Sequence, residues 1–460
     1  MPAERMPTSQ AARAARVGRL AAAEAARHAG TRAANFTRPR AVRRAALERR
    51  HLETADQILT VLGTMKGAAM KLGQMLSFVD LGVVPRHARP EFQRKLAALR
   101  DAAPHVPLDR MMRVLDDELG RPRTEVFRDF DEKPIGVASI GQVYRATLTD
   151  GRQVAVKIQY PGVATAVRAD MKNLALLMRL VRRALPGVDT DSLLREIHLR
   201  VGEELDYKLE ARNQHAFARA FRGHPFVIVP DTIGELSGSR VLVSEYVEGT
   251  GFEQLKEAPA AVRNRTGEVI YRFFCGTLYR RHEFSGDPHP GNFLLQDDGR
   301  VAFFDFGLFK RMDGPSVEFE LACQRAAAEG RADDLHRLMA DVSILPEPER
   351  VVPERLLAYV LDAVGWYLVD EEVQLTPEMA TAALIESLLP PSSYFTMLRH
   401  QHLPPEHALA RRLELFCEAL LGQLGARANW HRIAREWMYG DPPETELGQL
   451  EAKFYASSAG

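Results

Sequence analysis

The stretch VASIGQVYRATLTDGRQVAVKIQY, residues 137 to 160, is where the periodicity of the chain changes. Apolar and polar residues alternate through it, the signature of a half-buried strand, and Asp150-Gly151 interrupts the alternation with a strong hairpin-turn dipeptide. The spacing therefore predicts two strands joined by a turn. Upstream, apolar residues recur at helical steps in 51–78, about 89–99 and about 108–119, the last ending at Gly-Arg-Pro, a helix stop. Downstream, a helical insert is expected over about 163–185, closed by Pro186-Gly187, and a long helix over about 193–221 carrying EELDYKLEA. Strand-like FVIVP (226–230) and RVLVSEYV (240–247) follow, and from about residue 250 the pattern is helical to the end, broken mainly at 284–292 and 301–309. No internal repeat is visible. Strands first and helices after, with a loop-borne polar cluster between, is a two-lobed α+β plan.

Composition narrows the function classes. The chain has 460 residues, long enough for two or three packed units, and its 61 basic and 61 acidic residues balance. A nucleic-acid partner is therefore not expected. The balance is uneven along the chain, since residues 1–50 hold twelve arginines against Glu4, Glu24 and Glu48. That segment reads as a solvated or frayed helix, as a basic surface for anionic lipid or a partner, or as an organelle-targeting peptide. Cys275, Cys323 and Cys417 stand apart in apolar helical contexts with no C-x-x-C pair, which suits a reduced, cytoplasmic protein and a core role. No apolar run reaches the roughly 18 to 20 residues of a membrane span and no secretory signal is seen, so any membrane contact is expected to be peripheral.

The helix expected over 51–78 has an unusual second face. Its apolar side carries Ile58, Leu62, Met65, Ala69, Leu72 and Leu76, while Thr64, Gly67, Lys71 and Gln74 align on the other. Gly63, Gly67 and Gly73 together cost a helix about 3 kcal/mol relative to alanine. Tolerating that cost points to close approach of another backbone or a ligand.

Two loops carry the chemistry. FSGDPHPGN (284–292) places Asp287 and Asn292 five residues apart, and VAFFDFGLF (301–309) ends a hydrophobic strand at Asp305-Phe306-Gly307. Phosphoryl transfer needs a carboxylate to orient the acceptor, and an amide oxygen plus a second carboxylate to hold divalent metal across the phosphates. Asp287, Asn292 and Asp305 supply those groups in that order and at the spacing of a kinase catalytic loop and D-F-G. Lys157, in a strand just after the Asp-Gly turn, suits the α- and β-phosphates, with Glu210 late in the long helix as its counter-charge. Backbone groups of Glu245 and Val247, at the end of RVLVSEYV, suit adenine. Each piece alone has a blander reading: a surface lysine on a strand, a turn at D-F-G, a Pro/Gly loop with His289 satisfied by backbone. Order and spacing together favour the chemical reading.

At this point the chain resembles the UbiB/AarF family of atypical kinases, linked to isoprenoid-quinone (coenzyme Q) biosynthesis, closely over about 53–330 and more loosely beyond. Lys71–Gln74 (KLGQ) is similar to the family's K-x-G-Q motif, Glu204–Asp206 to its E-x-D motif, and Ala138–Val143 to the alanine-rich loop that replaces a glycine-rich phosphate loop. The resemblance implies a protein-kinase-like fold with a tail at 1–52, a helical extension at 53–124, an N-lobe at 125–248 and an all-helical C-lobe at 249–460. It implies ATP or ADP and Mg2+ as cofactors, with Ala138, Ser139, Gly141 and Lys157 at the nucleotide. Lys71, Gln74, Glu204 and Asp206 would gate the site, the extension occluding the place of a protein substrate. Glu204 and Glu210, six residues apart, would point about 120° apart on one helix, one to the extension and one to Lys157.

Departures exist. Gly136-Val137-Ala138-Ser139 stands where relatives commonly have Ala-Ala-Ala-Ser, so nucleotide affinity or selectivity is open to change. No Arg precedes Asp287 and no A-P-E follows Asp305, so activation-loop phosphorylation is not expected. The expected activity is ATP hydrolysis or small-molecule phosphorylation in quinone or other lipid metabolism, with a lipid or quinone precursor as substrate and lipid-biosynthesis enzymes as partners. A small-molecule kinase of the aminoglycoside or choline type and a non-catalytic nucleotide-sensing scaffold are the alternatives.

Overall fold

The structure, a computed structural model, describes residues 106–138, 140–168, 202–203, 205–388, 394, 397 and 401–458. The basic tail, most of the helical extension, the insert beyond residue 168, and Lys71, Gln74, Ser139 and Glu204 lie outside the described residues.

The helix expected near 108–119 is α1, Leu108–Leu119, which buries Met111, Met112, Val114 and Leu115. Gly120, at φ 66°, ends it by donating its N–H to the Asp116 carbonyl, the left-handed cap that glycine adopts without a Cβ clash. β1 is Phe127–Phe130. The 137–160 stretch then forms three strands rather than two. β2 (Gly136–Ala138) pairs antiparallel with β3 (Gly141–Leu148), Ala138 opposite Gly141. β4 is Gln153–Gln159. Between β3 and β4, Gly151 takes φ 93° and donates to the Leu148 carbonyl, and Leu148 in turn donates to Arg152. The Asp150 carboxylate accepts the Arg152 N–H at 3.0 Å, closing the predicted turn. Burial alternates along β4, with Val154, Val156 and Ile158 inside.

The helix expected over 193–221 is corrected. α2 runs Tyr207–Ala220, and Asp206, at φ −110° and ψ 85°, is its N-cap. The Asp206 carboxylate accepts the N–H groups of Lys208 and Leu209, each at 3.1 Å. A side chain that satisfies these orphan donors competes with the helical ladder and starts the helix after itself. Glu210 therefore belongs to a helix that begins only after Asp206, and the 120° argument, which needed one unbroken helix through 205 and 206, does not apply.

FVIVP contributes only β5, Val227–Ile228, and β6 is Val241–Glu245. The sheet order is β1-β3-β4-β6, with β2 paired to β3. Helices follow: α3 (Phe252–Leu255), α4 (Ala260–Tyr271), a π-helical turn Arg272–Gly276, and α5 (Thr277–Arg281). Next come the short strands β7 (Glu283–Ser285), β8 (Phe293–Leu295), β9 (Val301–Phe303) and β10 (Phe309–Arg311). The remainder comprises α6 (Gly314–Ala328), α7 (Ala332–Asp341), α8 (Pro353–Val364), β11 (Val373–Gln374), α9 (Pro377–Leu388), α10 (Pro405–Leu424), β12 (Arg427–Ala428), α11 (Trp430–Met438) and α12 (Glu446–Ser458).

The expectation of an all-helical region after residue 249 is thus corrected: it is mainly helical but contains short strands. Its strands are two or three residues long, too short for an alternating pattern to register, and they give loop backbone groups the partners burial demands. β8 and β9 pair antiparallel, β5 adds to β9 in parallel, and β7 pairs with β10.

The chain divides into two compact units, one of Met1–Val126, Phe130–Tyr144 and Lys157–Leu205, the other of Phe127–Asp129, Arg145–Val156 and Asp206–Gly460. In the second, an aromatic core runs from α2 to the D-F-G segment: Phe217 lies 5.1 Å from Phe306 and 5.7 Å from Phe221, and Phe273 stacks on Phe303. Fully burying each such ring contributes about 1.5–3 kcal/mol. The three cysteines are free and buried in this unit, in line with a core role.

Two buried polar clusters brace its helices. Arg272, on the π-helical turn, is held by Glu268 (2.8 Å), Glu436 (2.6 Å) and Glu451 (3.0 Å). Glu414 accepts hydrogen bonds from Tyr279, Tyr367 and Gln324, and burial pushes its carboxyl up to about 7.

Candidate active site

β7 delivers the chain to Gly286, whose N–H donates to the Leu308 carbonyl at 2.7 Å. With Ser285 opposite Phe309 in the β7–β10 pair, the strand zips the start of the 284–292 loop to the residues just after D-F-G. A Cβ on Gly286 would meet the Leu308 side chain at 3.1 Å, so the approach favours glycine. Within the loop, His289 Nδ1 accepts the Gly291 N–H at 3.0 Å, and Asn292 donates its N–H to the His289 carbonyl. His289 is thus satisfied by backbone on that nitrogen, and an accepting Nδ1 leaves the proton of the neutral ring on Nε2.

Asn292 links the two loops. Its Nδ2 donates to the Asp287 carbonyl at 3.0 Å, which leaves Oδ1 as the accepting end of the carboxamide. Its own carbonyl accepts the Phe304 N–H at 2.8 Å, one residue before Asp305. The five-residue spacing from Asp287 to Asn292 is what lets the side chain reach back to that carbonyl, because the prolines keep the intervening chain out of a continuous helix.

Asp305 sits at φ 66°, in the left-handed region. For a residue with a Cβ this costs roughly 1–2 kcal/mol and persists only where neighbours over-determine it. Its Oδ1 accepts the Gly307 N–H at 3.2 Å, and its carbonyl lies 3.5 Å from Ser285 Oγ. Phe306 is fully buried, with its carbonyl accepting from Asn213 Nδ2 at 3.2 Å. Glu210, 3% exposed, stands beside Gly307: a Cβ there would be 3.3 Å from Asp305 Oδ1 and 3.8 Å from Glu210 Oε2. A Cβ on Gly307 would therefore meet both carboxylates. Among the described residues, no group of three or more His, Cys, Asp or Glu side chains is placed to hold a metal by itself.

Asp287, Asn292, Asp305 and Glu210 all fall in the second unit. Lys157 lies half-buried on β4 in the first, where Ala138 and Gly141 form the paired ends of β2 and β3. Glu245 ends β6, and its N–H donates to the Asp231 carbonyl at 2.9 Å, so of its two backbone groups only the carbonyl can serve a ligand. Val247 follows, half-buried. Asp206, expected at a gate, has its carboxylate engaged as a helix cap.

Sequence reasoning missed Asn213, Ser285 and the pairing of Phe217 with Phe306. Asn213 and Phe217 follow Glu210 by three and seven residues, on one face of α2, and that spacing was the available signal.

A mixed α+β fold with an Asp…Asn loop and a D-F-G turn fastened together defines a kinase-like protein. Residues 98–329 match the family model of the ABC1 atypical kinase-like domain. The chain is 30% identical over 387 residues to the mitochondrial atypical kinase COQ8B of Rattus norvegicus, covering 81% of this chain and 70% of that one. It is 31% identical over 268 residues to AarF domain-containing protein kinase 1 of Xenopus laevis, covering 56% of this chain and 50% of that one. Among solved structures, the complex of Rv3197 with erythromycin from Mycobacterium tuberculosis is similar, with a TM-score of 0.63 and 31% identity over 85% of this chain and 97% of that one. The chain belongs to the ABC1/AarF (UbiB) family of atypical kinases. Among the described residues, no helix is long and apolar enough to cross a membrane.

Proposed function

We propose that the protein is a Mg2+-dependent ATP-binding kinase or ATPase that supports isoprenoid-quinone or other lipid metabolism at a membrane surface. The observation that carries this reading is the fastening of Asn292 to Asp287, together with the Asp305 and Glu210 carboxylates that both lie beside Gly307. Asp305 and the Asn292 amide oxygen hold the metal, and Asp287 orients the acceptor hydroxyl or a water. Lys157 is assigned to the α- and β-phosphates with Glu210 as its counter-charge, and the Glu245 carbonyl and Val247 N–H to adenine. The metal, when bound, neutralises charge developing on the transferred phosphoryl group.

The test is Mg2+-dependent ATP turnover by the full-length protein, with and without anionic liposomes, beside Lys157→Ala and Asp305→Asn. Turnover that rises with lipid and disappears in both variants is the expected result. Nucleotide binding without turnover in every condition would replace this reading with a nucleotide sensor. A second reading, action on a small amphiphilic molecule, is favoured by the similarity to Rv3197, solved with erythromycin. It predicts that such a molecule stimulates turnover in the absence of liposomes.

A further inference from the structure

One stripe of α2 meets the D-F-G segment residue by residue. Glu210 flanks Gly307, Asn213 donates to the Phe306 carbonyl, and the Phe217 ring lies against the Phe306 ring. Positions 210, 213 and 217 share a helix face, so the three contacts come from a single rigid element.

Asn213 is the member whose contact is directional. The Phe306 carbonyl and the Gly307 N–H belong to one peptide group, and both ends are engaged. The carbonyl accepts from Asn213 Nδ2 at 3.2 Å, while the N–H donates to Asp305 Oδ1 at 3.2 Å. The carboxamide orientation follows from its partner, because a carbonyl can only accept. A planar peptide passes the constraint from one end to the other: turning the carbonyl away from Asn213 swings the N–H away from the Asp305 carboxylate. Ring packing of Phe306 on Phe217 cannot supply this, since an apolar contact is indifferent to which way the following peptide faces. The left-handed backbone of Asp305 makes such a restraint necessary.

We propose that Asn213 is a positioning residue that, through the Phe306–Gly307 peptide, aims the Asp305 carboxylate for divalent metal. This deepens the function proposed above and rests on Asp305 being a metal-holding group. Asn213 itself touches neither nucleotide nor metal in this account.

Three full-length variants separate direction from bulk. Asn213→Asp keeps the shape but, ionised, can only accept; Asn213→Ala removes the group; Asn213→His places a ring nitrogen at the same bond count from the backbone and can donate again. The readout is the Mg2+ concentration giving half-maximal thermal stabilisation by ADP, alongside the melting temperature without ligand and the response to ADP without Mg2+. Asn213→Asp and Asn213→Ala are expected to raise half-saturating Mg2+ about tenfold, the scale of one lost hydrogen bond. Asn213→His should restore most of it, and the metal-free ADP response should stay unchanged in all three.

Wild-type Mg2+ dependence in both Asn213→Asp and Asn213→Ala would overturn the proposal while leaving the function intact, provided Asp305→Asn still abolishes the Mg2+ response. Equal loss of Mg2+-dependent and Mg2+-free binding, without recovery in Asn213→His, would reduce Asn213 to a structural residue. If the wild type itself shows no Mg2+-dependent stabilisation by ADP, the functional reading falls, and this proposal with it.

Discussion

Glu418, on α10, is 3% exposed, and its Oε2 has no hydrogen-bond partner. Burial pushes its carboxyl up to about 8, so near neutral pH the folded protein holds a proton that the unfolded chain has released. The sign follows from linkage: a raised folded pKa gives stability that is fully present below the unfolded value and is lost as pH rises toward about 8. Each proton contributes about 1.36 kcal/mol per pH unit inside that window. Glu418→Gln keeps the shape of the neutral acid and cannot ionise. Its stability advantage over the wild type should therefore grow by about 2.5 kcal/mol between roughly pH 5.5 and pH 7.5, then level off above about pH 8. Urea denaturation of both proteins across that range measures the difference directly. Glu414 titrates nearby but is present in both proteins, so its contribution cancels to first order. A difference that is flat with pH, or that shrinks as pH rises, would refute the assignment of Glu418 as a buried, protonated acid.

Two further predictions concern the elements that carry the site. Asp206→Ala should lower the melting temperature by removing about 1 kcal/mol of capping, whereas Asp206→Ser, which can still accept from the same N–H groups, should recover most of it; equal loss in both would give Asp206 a role other than the cap. Arg272→Met should destabilise by about 3–5 kcal/mol in denaturant unfolding, because it strands Glu268, Glu436 and Glu451 around a buried gap. A change under about 1 kcal/mol would mean that Arg280, which also pairs with Glu436 and Glu451, suffices alone.

What the sequence by itself determined about this protein is local or ordered along the chain. Gly120 after α1 and the Asp150-Gly151 turn are legible because the residue types they need are written at the turn. The succession Lys157, Glu210, Asp287, Asn292, Asp305 is legible because it follows the order in which a kinase-like chain carries those residue types. The start of α2 has a local signal too, since Asp206 is a capping residue between helix-favouring neighbours, but periodicity alone reads through it. Tertiary structure decided which atoms meet. That Val227 and Ile228 join the strand leading to Asp305, that Asn213 reaches the Phe306 carbonyl 93 residues away, and that Asp305 is held at positive φ have no local signature. Periodicity records which face of an element is buried. It does not record against what, and a directional hydrogen bond exists only once two distant segments have packed to within about 3 Å of each other.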